Sequence, residues 1–152
     1  MKKIASSFIF LALSGAWLPS HAVLALPDLS DWIGKYPSDR IAPSGRTMLS
    51  IPEIKAALGQ LLPRHELKTL SEFDVETPVR RTGGYLIVEK CRPHECSADF
   101  AVLVFSEPDG RLWVALFNRS KERVSSRFYG NSDDWSVLPD DVKSVFSTRL
   151  GS

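Results

Sequence analysis

The sequence predicts an α+β domain, an antiparallel sheet of about five strands with helices packed on one face. Three observations carry this expectation. An amphipathic helical pattern stands between residues 50 and 63, a run of apolar strands broken by turn signals fills residues 77 to 130, and a further helical pattern follows from residue 138. No repeat, low-complexity tract or linker separates these segments, so they read as one domain.

The chain opens on Met1-Lys2-Lys3, a positive start, followed by the uncharged apolar run IASSFIFLALSGAWL of 15 residues. Small-residue cleavage sites come next, after Ala22 (Ser20-His21-Ala22) or after Ala25 (Val23-Leu24-Ala25). This is the layout of a secretory signal peptide, and the run is shorter than the roughly 18 residues a membrane span needs. Residues 1–25 are therefore expected to direct export and be removed. No cysteine near the cleavage region suggests a lipid anchor, and no second apolar run follows, so no membrane attachment is expected after cleavage.

Cleavage after Ala22 leaves 130 of the 152 residues, enough for one domain with its own core. It removes Lys2 and Lys3, so 19 basic residues become 17 against 18 acidic ones, a net charge of −1. That balance argues against nucleic acid as a partner, which calls for a clear basic excess.

Residues 26–49, rich in Pro, Gly, Ser and Asp and without a period, are expected to form an ordered arm anchored on the body of residues 50–152 by Trp32, Ile33 and Tyr36. Ser50 and Glu53 have the spacing of a capping box at the start of the first helix. Ile54, Leu58, Leu61 and Leu62 then share one face, and Pro63 ends the helix. A shorter helical piece over residues 64–73 places Leu67, Leu70 and Phe73 on one side.

Strands begin with the segment TPVRR, which passes through Gly83-Gly84 into YLIVEKC as a hairpin. DFAVLVFSE and RLWVALFNR are joined by Pro108-Asp109-Gly110, a second turn signal. Trp113 and Phe117 alternate with Val114 and Leu116, which supplies apolar residues to both faces of the sheet. RVSSRFYG reads as a more polar edge strand. In the last helix Pro139, Asp140 and Asp141 suit the first turn, where acidic charge meets the helix dipole, and Val142, Val145 and Phe146 face inward. Trp135 is assigned to the core, and His65 to the surface or a cap. Asn118-Arg119-Ser120 matches a glycosylation sequon.

The segment VEKCRPHECSADF, residues 88 to 100, holds the only two cysteines, Cys91 and Cys96, at the ends of two successive strands. In an exported chain two cysteines most simply mean one bridge. So small a ring adds only about 2 kcal/mol of stability by the loop-entropy estimate, and its effect on shape is the better reason for it. Pro93 fixes its own φ and restricts Arg92, which leaves Arg92, Pro93, His94 and Glu95 held outward with little freedom to lose on binding. Three other readings stand beside this one: a stapled turn with His94 merely facing solvent, zinc held by Cys91, His94 and Cys96, and a Cys–His nucleophile and base. The cramped spacing and the oxidising compartment weigh against the last two, and no cofactor or metal is expected.

Cys91-Arg92-Pro93-His94-Glu95-Cys96 resembles the C-K-P-H-D-C loop of the Ivy family, bacterial periplasmic inhibitors of c-type (vertebrate) lysozyme. Arg92 stands for lysine and Glu95 for aspartate, both with charge kept, and Ser97 follows where members often carry glycine. The segment WIGKYP at residues 32 to 37, the helix after Ser50 and the strand order are also similar to those of exported Ivy-like proteins. The resemblance implies a periplasmic inhibitor without catalysis of its own, whose disulfide-closed loop projects between two strands into the lysozyme cleft. Lysozyme works with two carboxyl groups, one protonated and one ionised. An imidazole has two ring nitrogens and an optional proton, so His94 is the residue expected to engage both carboxyls. Cys91, Pro93 and Cys96 would hold it, and Arg92 and Glu95 would contact the cleft walls.

The resemblance extends to a related peptidoglycan glycosidase, such as a lytic transglycosylase, as target, and it leaves a homodimer open. Glu89, Glu95 and Asp99 cluster near the loop and would add some steering toward a basic partner. The competing class is a periplasmic binding or immunity-type protein that uses another surface, with the loop mainly structural. An enzyme ranks third, since the sequence offers no credible carboxylate pair, Ser–His–Asp set or phosphate-cradling glycine loop.

Overall fold

The computed structural model describes residues 26–119, 123–130, 138 and 140–150. Its longest apolar stretches form the centre of the sheet. Strands β3 (Tyr85–Cys91), β4 (Asp99–Ser106) and β5 (Leu112–Arg119) lie side by side and antiparallel, with β6 (Val124–Gly130) on the far side of β5. The other side of β3 is shared by two short strands, β1 (Val75–Glu76) opposite Cys91 and Lys90, and β2 (Arg80–Thr82) opposite Ile87, Leu86 and Tyr85. Pro78 lies in the gap between them, and a proline has no N–H to give to a ladder. The expected antiparallel sheet is present, with one edge strand in two pieces.

Side chains of successive strand residues point to opposite faces, and here both faces are apolar. Leu86, Val88, Ala101, Leu103, Phe105, Val114 and Leu116 pack on one face with Ile54 and Leu58 of α1 (Pro52–Leu61) and Leu70 of α2 (Arg64–Ser71). Leu29, Trp32 and Met48 of the N-terminal segment join them. This is the helical layer expected on one face. Ile87, Phe100, Val102, Val104, Trp113, Ala115 and Phe117 face the other way, where Leu138 and Val142 and Phe146 of α3 (Asp140–Leu150) cover them. The last helix thus adds a third layer, and β3–β5 are buried on both sides.

Two local expectations change. Ser50 makes no capping box, because its hydroxyl donates to the Thr47 carbonyl (2.8 Å) inside a 3-10 turn, and α1 begins at Pro52 with Ile51 as its cap. Proline suits the first helical position and holds the residue before it extended, which moves the start past Ser50. Trp32 is buried, whereas Ile33 and Tyr36 are 37% and 47% exposed. Backbone pairing docks that part of the segment instead: Gly34 N–H donates to the Val79 carbonyl (2.9 Å) and Val79 N–H to that of Lys35 (2.8 Å).

Glu66 of α2 is only 1% exposed. Its carboxylate accepts from the Arg127 guanidinium and from the Tyr129 hydroxyl (3.3 Å) of β6, which clasps α2 to the sheet edge. Such a pair satisfies a carboxylate that could not otherwise be buried. Residues 1–25, Ser120, Trp135 and Pro139, and the side chain of Val145, lie outside the described residues. Among the described residues no helix is long and apolar enough to cross a membrane.

Candidate functional site

The β3–β4 connection begins where the ladder ends. Cys91 pairs with Phe100, and the Arg92 N–H still donates to the Asp99 carbonyl (3.0 Å). The chain then leaves the sheet for a single tight turn. Cys91 and Cys96 are joined as a disulfide with their Cα atoms 4.9 Å apart. Both sulfurs are therefore used, and neither is available as a thiolate for zinc or for nucleophilic attack.

Inside the ring the Glu95 N–H donates to the Arg92 carbonyl (3.0 Å), which closes a four-residue turn with Pro93 second and His94 third. His94 has φ +66°, and it is the only non-glycine residue with positive φ among those described. Proline second and a positive φ third is the pattern of a type II turn, whose third position usually takes glycine or asparagine. The segment after the tip is also held, since Ala98 and Asp99 N–H groups both donate to the Glu95 carbonyl (2.8 and 2.7 Å). The outcome is a small self-bonded knuckle with His94 and Glu95 exposed at its tip.

Arg92 turns away from that tip. Its Nε donates to Asp99 Oδ2 (2.9 Å) and its Nη1 to Glu72 Oε2 (3.2 Å), with Glu95 Oε2 3.5 Å from Nε. The guanidinium also lies over the ring of buried Phe73, 5.7 Å from its centroid. Hydrogen bonding to Asp99 raises the Arg92 pKa above its ordinary value, against an opposing effect of burial, with a further contribution from Glu72. Asp99 is held from its other side by Asn118 Nδ2 (2.7 Å).

The six loop residues named from the sequence are thus brought together at one end of the sheet. His65 is elsewhere, on α2, with its side chain 77% exposed and Nε2 3.6 Å from Glu66. The acidic cluster expected near the loop is mostly spent internally. Glu89 is buried against Arg80, Asp99 serves Arg92 and Asn118, and Glu95 remains exposed. Sequence reasoning missed Glu72, Phe73 and Asn118 as supports of the loop, because they lie about 20 residues from it on other elements. Among the described residues no group of three or more His, Cys, Asp or Glu is placed to hold a metal ion.

A family model described as "Inhibitor of vertebrate lysozyme (Ivy)" matches residues 53–151, from the first turn of α1 through α3 and including the whole loop. No curated protein and no solved structure matches the chain. The proteins of that family are inhibitors and not catalysts. With most of its length matched, the chain belongs to the Ivy family of lysozyme inhibitors.

Proposed function

We propose that the chain is exported to the periplasm and blocks c-type lysozyme by inserting the Cys91–Cys96 loop, led by His94, into the enzyme's active-site cleft. The observation that carries this reading is His94 itself: an exposed imidazole at the tip of a disulfide-closed turn, in a backbone conformation that side chains adopt at a cost. Strained positions persist where the surroundings enforce them and cluster at functional sites.

The chemistry follows from the two partners. A lysozyme cleft presents one protonated and one ionised carboxyl group. Imidazole can donate to the ionised one and, as the neutral ring, accept from the protonated one, so one side chain engages both. Once there it occupies the space of the scissile bond. The turn carries little freedom to lose, which lowers the ordering cost of binding. Glu95 beside it is exposed, though paired with Arg92 at 3.5 Å, and would meet the cleft wall, while Cys91, Arg92, Pro93 and Cys96 complete the inhibitory loop.

The test is a titration of the mature chain against a c-type lysozyme acting on cell walls, with His94→Ala run in parallel. A central, desolvated contact of this kind carries about 2.7 kcal/mol or more, so the variant should inhibit roughly 100-fold less well. Unchanged Tm would show that the fold is intact. If the folded, oxidised wild type fails to inhibit, the lysozyme target is wrong, and lytic transglycosylases become the enzymes to titrate.

A further inference from the structure

We infer that Arg92 is a positioning residue, which fixes the direction of the loop and so the place of His94, and is not part of the contact surface. The inference rests on the inhibitory reading above but can be tested without any lysozyme.

A disulfide fixes two points, Cys91 and Cys96, and two points define only an axis. The Ala98 and Asp99 N–H groups hold the Glu95 carbonyl on one side of that axis, but without a side-chain tie on the Arg92 side the ring could still tilt and sweep the tip of the knuckle sideways. Arg92 supplies attachment away from the axis. Its guanidinium reaches Asp99 Oδ2 at 2.9 Å on β4 and Glu72 Oε2 at 3.2 Å, the residue just beyond α2. The planar fork of N–H donors suits two carboxylates on different elements, which a single ammonium point charge serves less well. Phe73 beneath the guanidinium and Asn118 behind Asp99 fix the receiving groups in turn.

The same residue begins the turn. The Arg92 carbonyl accepts from the Glu95 N–H at 3.0 Å, so moving Arg92 moves the turn that carries His94 two residues on. With its side chain only 34% exposed and its Nε and Nη1 bonded to carboxylates of its own chain, Arg92 is turned toward its own scaffold rather than toward a partner. Its partners make the loop an extension of the α2 end and of β4.

The decisive measurement is backbone ¹⁵N relaxation of the uncomplexed mature chain, wild type against Arg92→Ala. The expected result is a fall of the His94 amide order parameter from about 0.85 toward 0.6, with β4 amides such as Leu103 unchanged. An unchanged His94 order parameter overturns the inference. Inhibition by Arg92→Ala, Glu72→Ala and the double variant provides the second arm. Positioning through Arg92 requires each single change to weaken inhibition, with the double variant no weaker than Arg92→Ala alone. Multiplying effects, or no effect of Glu72→Ala, would mean separate contacts and overturn it. If Arg92→Ala does not fold, Arg92→Gln keeps a polar side chain at the position, removes the charge and runs the same test. A wild type that fails to inhibit while His94 loosens in the variant would dismiss the lysozyme reading and leave the positioning role standing.

Discussion

His94 shows how much a single residue can hide in a sequence. Its type and neighbours suggested a presented imidazole, and the proline before it suggested a turn, but nothing in CRPHEC states that φ is positive at the tip. Histidine enters that region more readily than most residues, and a β-branched side chain would be barred. Glu66 was less legible still. Within RHELKTLS it reads as a solvated helix carboxylate, and its burial depends on Arg127 and Tyr129, more than sixty residues away. Tyr129 gives this cluster a measurable signature. Burial, then the charge of Glu66, raises its phenol pKa above the ordinary value. A raised pKa favours the protonated form in the folded chain. That contribution is complete below about pH 10, the unfolded value, and is lost as pH rises through the folded one. Tyr129→Phe should therefore show a shallower loss of stability between pH 9 and 11 than wild type, read from urea midpoints across that range.

Among the elements, β3, β4 and β5 were plain in the sequence because they are continuous apolar runs bounded by Gly, Pro and Asp. α1 was plain for its periodicity, yet its start was misread because a capping pattern and a proline competed for it, and the proline decided. The divided edge of β1 and β2 was not legible, since two- and three-residue strands leave no pattern of their own. The loop's placement between two long strands was read correctly, and its energetics follow from its size. Replacing both Cys91 and Cys96 by alanine should cost only about 2 kcal/mol. Equilibrium urea unfolding should show that modest loss, with β3 and β4 amides still protected from exchange. Inhibition should fall much further than stability does, because the ring serves direction more than folding.

For the whole molecule, both faces of the sheet need covering, and only part of the cover was foreseen. The alternation of Trp113 and Phe117 with Val114 and Leu116 showed that two faces are apolar. It does not say which segment covers which face, a question settled by loop reach and packing rather than by period. α3 takes the face opposite α1 and α2, with Phe146 6.4 Å from Phe117 and from Phe128 between ring centroids. Phe146→Ala should cost about 3 kcal/mol or more, as emptied aromatic core sites do. The same variant should bind a hydrophobic dye more strongly than wild type if α3 loosens from that face. An unchanged urea midpoint would show that α3 contributes little to the fold.

The anchoring of Arg92 also bears on how far the loop can be moved from its host. A cyclic hexapeptide of sequence CRPHEC would reproduce the ring, the proline and the imidazole. It would leave behind Asp99, Glu72 and Phe73, which are properties of β4 and of the segment after α2. The loop is therefore not a portable warhead. A transplant onto another scaffold must bring two carboxylates and an aromatic floor with it, or the histidine will arrive pointing in no particular direction.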